Sequence, residues 1–92
     1  MTIQDSKYEI YVVGYFSLDY PSKTYYKREL ELNNFNLTEN IENADFILLE
    51  KNLETFDDAI FSKEYSDINC VEIAEDIGEL LKLRDEYEMR AI

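Results

Sequence analysis

Two stretches of this chain are apolar on both side-chain faces, and they restrict its fold more than any other feature. Tyr8-Glu9-Ile10-Tyr11-Val12-Val13 is β-branched and aromatic and ends in an apolar run that continues through Phe16; Phe46-Ile47-Leu48-Leu49 is the second such run. A strand that faces solvent on one side alternates apolar and polar residues, so runs without alternation belong to strands covered on both faces. Neither approaches the roughly 20 apolar residues of a membrane-spanning helix. Burying two such strands calls for a parallel or mixed sheet with helices on each side.

Helical segments lie between them. Pro21 suits a first helical position, and Tyr26 and Leu30 share a face, which predicts a helix over about 21–33 that Asn33-Asn34 stops. Phe35-Asn36-Leu37 reads as a short strand near the sheet edge. Thr55 and Asp58 have capping-box spacing, and Phe56 and Ile60 set an apolar stripe for a second helix ending near Glu64. Asp67 to Val71 reads as a strand with Cys70 as a small core residue, and Ile73, Ile77, Leu80, Leu81 and Tyr87 lie on one side of a last helix. The expected architecture is α/β: a small four-stranded, mainly parallel sheet flanked by about three helices, in one domain spanning residues 1–92. Its outline resembles the BRCT module, without that family's glycine or tryptophan landmarks.

Ninety-two residues with 46% hydrophobic content supply one ordinary core, so the surface carries what is unusual. The chain has 21 Asp and Glu against 9 Lys and Arg, a net charge of -12, which repels nucleic acid and anionic lipid and attracts cationic surfaces. Residues 1–38 hold five acids and four bases, whereas residues 39–92 hold sixteen acids and five bases. On a last helix beginning before Glu72, the carboxylates of Glu72, Glu75, Asp76, Glu79 and Glu86 fall within one arc of about 100°. Such a row has a linear charge density of the order of duplex DNA. Glu50, Glu54, Asp57, Asp58, Glu64 and Asp67 extend it upstream. The bland readings stand beside this one: a solvated acidic face, and first-turn acids complementing a helix dipole. Among the tyrosines, Tyr8, Tyr11, Tyr26 and Tyr87 read as core or boundary residues, while Tyr20, Tyr25 and Tyr65 read as candidates for exposed contact positions.

Catalytic chemistry is poorly provided for. The chain has no histidine, one cysteine and two glycines, so histidine-based triads, thiolate zinc sites, phosphate loops and dinucleotide fingerprints cannot be written. Asp67-x-Asn69 begins like a calcium loop, but Val71 and Glu72 occupy the fifth and sixth positions, where a ligand and a glycine are required. No enzyme activity and no cofactor are expected. The lone Cys70 and the lack of a signal-peptide pattern point to the cytoplasm.

The length, the acidic balance and the stretches Met1-Thr2-Ile3-Gln4-Asp5, Gly14-Tyr15-Phe16-Ser17-Leu18-Asp19-Tyr20-Pro21 and Ala74-Glu75-Asp76-Ile77-Gly78-Glu79-Leu80-Leu81 resemble the Arn anti-restriction family of T-even phages. The resemblance implies a homodimeric DNA mimic in the host bacterial cytoplasm that occupies the DNA-binding surface of the McrBC restriction endonuclease, with the nucleoid protein H-NS as a further target. It transfers no catalytic residues. The charge argument alone nominates Glu54, Asp57, Asp58, Glu64, Asp67, Glu72, Glu75, Asp76, Glu79 and Glu86 as phosphate-mimicking contacts with a basic host protein. An immunity-type inhibitor of a nuclease toxin and a divalent-cation-binding protein are the alternative readings.

Overall fold

The computed structural model describes residues 8–18, 20–50, 53 and 56–90. Its elements are β1 (Tyr8–Val12), α1 (Tyr20–Leu32), β2 (Phe35–Leu37), β3 (Phe46–Leu48), α2 (Phe56–Asn69), β4 (Glu72–Ala74) and α3 (Ile77–Arg90), with short 3-10 turns at Tyr15–Ser17 and Ile41–Asn43. The four strands form one all-parallel sheet in the order β2-β1-β3-β4. The two doubly apolar runs are therefore its central pair, in register Ile10↔Phe46, Tyr11↔Ile47 and Val12↔Leu48.

The alternation of β1 and β3 feeds two cores. Ile10, Val12, Phe46 and Leu48 point to one face, where they meet Tyr26 and Leu30 of α1 and Leu80 of α3. Val13, Ile47 and Leu49 point to the other, where they meet Ala59 of α2, with half-buried Tyr11, Tyr65, Ile73 and, from the crossover between β2 and β3, Ile41. One face thus carries two helices, and the other carries α2 and the crossover. Arg84 of α3 reaches the turn between α1 and β2: its Nη1 donates to the Asn33 carbonyl at 2.7 Å and its guanidinium lies 5.0 Å from the centre of the Phe35 ring. Tyr87, though half exposed, is a boundary residue in edge-to-face contact with Tyr8 and Phe46.

Two boundaries between α2 and β4 differ from expectation. The second helix runs to Asn69 rather than Glu64, and the fourth strand is Glu72–Ala74 rather than 67–71. Pairing explains the strand: Ile47↔Ile73 and Leu48↔Ala74 put Ile73 against α2 and Ala74 in the opposite core. The helix ends where Cys70 turns into the left-handed region at φ 58, and the turn is locked by the Val71 N–H donating to the Ser66 carbonyl and the Ser66 hydroxyl donating to the Val71 carbonyl. Cys70 is thus an exposed helix stop, not a core residue. Asn34, at φ 66, ends α1 in the same way, as the Asn33-Asn34 pair foretold.

Gly14 holds the turn after β1 at φ 78, and a Cβ there would lie 2.6 Å from the Leu53 carbonyl oxygen. Cys70 and Gly14, both left-handed, therefore predict opposite signs. Cys70→Gly should stabilise by about 0.5–1 kcal/mol through relief of backbone strain, while Gly14→Ala should cost at least ~2 kcal/mol; urea denaturation measures both, and equal effects would refute the assignment. Burial raises the pKa of Tyr8, Tyr11 and Tyr15, with Glu88, Asp58 and Glu31 adding negative potential respectively. A pKa raised on folding favours the neutral phenol, so this stability is present below about pH 10 and is lost as pH climbs through the raised values. Denaturation midpoints should fall above about pH 10, and Tyr11→Phe should flatten that fall.

Candidate partner-binding surface

The last helix starts later than its acidic pattern suggests, and this breaks up the expected row. Asp76 is the residue before α3: its Oδ1 accepts the Glu79 N–H at 2.7 Å, and Glu79 Oε1 accepts the Glu75 N–H at 2.6 Å. This reciprocal arrangement satisfies helix-end donors in the manner of a capping box. Glu72 consequently lies in β4, Glu75 and Asp76 lie in the turn, and only Glu79 and Glu86 belong to the helix. Along α3 these two share their stripe with Lys82 and Arg90, so the charges there alternate in sign. The Asp76-x-x-Glu79 spacing was the available sequence signal for this helix start.

The acids separate by face of the sheet. The helices of the first face, α1 and α3, together hold six acids and six bases. On the other face, the crossover at 38–45 and α2 hold seven acids, Glu39, Glu42, Asp45, Asp57, Asp58, Glu64 and Asp67, against the single base Lys63. All seven are exposed. Glu72, Glu75 and Asp76 add three more exposed acids in and after β4, the edge strand against which both α2 and α3 pack. The ten nominated carboxylates are therefore not one row. Four lie on α2, three on the β4 edge and its turn, and two on the charge-balanced α3, while Glu54 lies outside the described residues, as does Thr55 of the expected cap.

Sequence reasoning missed Glu39, Glu42 and Asp45, because a crossover without a long helix gives no periodicity to follow. Asp45 is also structural: its Oδ2 accepts the Glu9 N–H at 2.8 Å, and its own N–H donates to the Glu9 carbonyl at 2.7 Å. Glu50 is engaged elsewhere, accepting from the Tyr26 hydroxyl. Among the described residues, the carboxylates of Asp57, Glu64, Asp67 and Glu72 make no hydrogen bond or ion pair.

The orientation of α2 is a second departure. Its stripe was expected to bury Ile60, but the helix rests on the sheet through Ala59 and Ser62, both buried, with half-buried Ser66 and Tyr65. Small side chains let a helix approach a sheet closely, and three large apolar ones are left outside: Ile60 is 42% exposed, Phe61 54% and Ile68 80%, while the side chain of Phe56 lies outside the described residues. Tyr25 is exposed on α1, as expected, whereas Tyr65 is half-buried against the Phe61 ring; the side chain of Tyr20 lies outside the described residues.

Open sheets of this order bind small ligands beyond the strand ends where the order reverses, here between β1 and β3. Among the described residues, that corner holds the Gly14 turn, buried Leu53 close against it and the Tyr26–Glu50 hydrogen bond. The bases of α1, Lys23, Lys27 and Arg28, line a separate open groove of about 380 Å³ with Tyr15, Thr24 and Glu31. Among the described residues no three His, Cys, Asp or Glu side chains converge as a metal ion would need, and no helix is long and apolar enough to cross a membrane. Compared with protein-family models, curated proteins and solved structures, the chain finds no match in any of the three.

Crowding of like charge on one face predicts that salt stabilises the fold. Each unfavourable pair on a helix surface costs about 0.2–0.5 kcal/mol at low ionic strength. Raising NaCl from about 20 to 300 mM should therefore raise the melting temperature by roughly 4–8 °C, the equivalent of ~1 kcal/mol for a chain of this size. Calorimetry at the two salt concentrations checks this, and an unchanged or lower melting temperature would contradict it.

Proposed function

We propose that this protein is a non-enzymatic DNA mimic, whose carboxylates stand in for phosphates in the cationic DNA-binding groove of a host protein and so shield phage DNA from restriction. The observation that carries the reading is the seven-to-one excess of acids over bases on the crossover and α2, with Asp57, Glu64 and Asp67 unpaired among the described residues. DNA-binding grooves gain most of their affinity from phosphate charge, so a fixed array of anions competes on the same terms. The resemblance to the Arn family names the targets to try first, an McrBC-type endonuclease and H-NS, and a homodimer would lengthen the array.

The contact set differs from the ten acids nominated by charge counting. It centres on Asp57, Asp58, Glu64 and Asp67, with Glu39, Glu42 and the β4-edge acids Glu72 and Glu75. Asp76 and Glu79 serve first as the cap of α3, so reversing them would test helix stability along with binding.

The test is competition against a labelled duplex for the purified endonuclease and for H-NS. Wild-type protein should displace DNA, with affinity falling steeply as salt rises. Changing Asp57, Asp58, Glu64 and Asp67 to their amides should weaken displacement by at least about tenfold, with unchanged far-UV circular dichroism, whereas Glu86→Gln should matter less than about twofold. Failure of the wild type to displace DNA from either protein at low salt would overturn the proposal. One observation favours a second reading, an immunity-type inhibitor of a single nuclease: DNA presents nothing like the exposed Phe61 and Ile68. Competition confined to one nuclease, among several DNA-binding proteins tried, would select it.

A further inference from the structure

On α2, at 100° per residue, Asp57, Phe61, Glu64 and Ile68 fall within one outward arc of about 60°, with Ile60 and Asp67 adjoining it. Their arc lies opposite Ala59, Ser62 and Ser66, on which the helix sits. The outward face is therefore a mosaic of three carboxylates and three large apolar side chains, and it departs from the usual arrangement in which a helix turns a polar face to solvent. Interface centres combine aromatic or aliphatic anchors with charges that fix orientation, whereas a purely solvated face carries no such anchors.

We infer that this face of α2 docks a protein segment in which arginines alternate with aliphatic side chains. The inference deepens the proposed function by giving the chemistry of the partner surface. Charge complementarity selects the occupant. Asp57, Glu64 and Asp67 call for cations, and a guanidinium suits the site because it pairs with a carboxylate while stacking on an adjacent ring such as Phe61. Aliphatic groups of the partner cover Ile60 and Ile68. A second copy of this chain is a poor occupant: a two-fold apposition would bring two such anionic faces together, six carboxylates in all from Asp57, Glu64 and Asp67, with Lys63 the only base on each helix.

The experiment titrates the 92-residue chain, isotopically labelled for NMR, with two peptides of equal length and charge, one of alternating Arg and Leu and the other with Ser in place of Leu. Shift changes should centre on residues 57–68, and at about 300 mM NaCl the Arg–Leu peptide should bind at least tenfold more tightly than the Arg–Ser peptide. Phe61→Ser with Ile68→Ser, both at exposed positions, should remove that preference and leave low-salt binding of the Arg–Ser peptide intact. Equal binding of the two peptides, or shifts centred on another element, would overturn the inference, and neither result requires the variant to fold. Sedimentation supplies a further check: a wild-type dimer that the double variant converts to monomer would show that a second copy fills the stripe, and the inference would fall. Because the peptide titration involves no DNA, its outcome is separable from the competition assay. A protein that prefers the Arg–Leu peptide yet displaces no DNA would keep this inference and lose the mimicry reading.

Discussion

The parallel pairing of β1 with β3 is the constraint on which everything else in the molecule rests. Both strands bury both faces, so each face needs a cover, and the chain provides two covers of different kinds. One is a pair of helices that bury Tyr26, Leu30 and Leu80, with Arg84 of the last helix bonded to the turn that follows the first. The other is a helix resting on alanine and serine beside a short crossover, and it completes a smaller core around Val13, Ile47 and Leu49. The asymmetry in packing is matched by one in charge. Where apolar interdigitation is extensive the surface is electrically balanced, and where the helix sits down on small residues the surface is strongly anionic.

Much of the fold was legible because its strongest signals are local. The double-faced runs marked the central strands, Pro21 and Asn33-Asn34 bracketed the first helix, and Phe35 to Leu37 emerged as an edge strand. The errors cluster between Glu64 and Asp76, where local preference competes with pairing. Ile73 fits a helical stripe as well as a strand, and only its register opposite Ile47 decides the matter. Cys70 in the left-handed region is a stop signal that residue type does not announce, since glycine or asparagine is the usual occupant.

The candidate surface was legible in its sign but not in its layout. Counting along the chain grouped α2 with α3 because they are sequential, yet the sheet places them on opposite faces. Glu79 and Glu86 thereby joined a balanced helix, and Glu39 and Glu42 joined the anionic face from a segment with no helical repeat. The inward use of Ala59 and Ser62 could not be read from pattern at all, because a stripe containing Phe61 and Ile68 signals burial by every periodicity rule. Which apolar residues are left outside becomes visible only once the inward positions are known.

The seating of α2 on short side chains has an evolutionary corollary. Its outward residues contribute little to the interior, so they are free to be rewritten one at a time while the scaffold beneath stays intact. Substitutions on that face are thereby uncoupled from the packing that holds the sheet together.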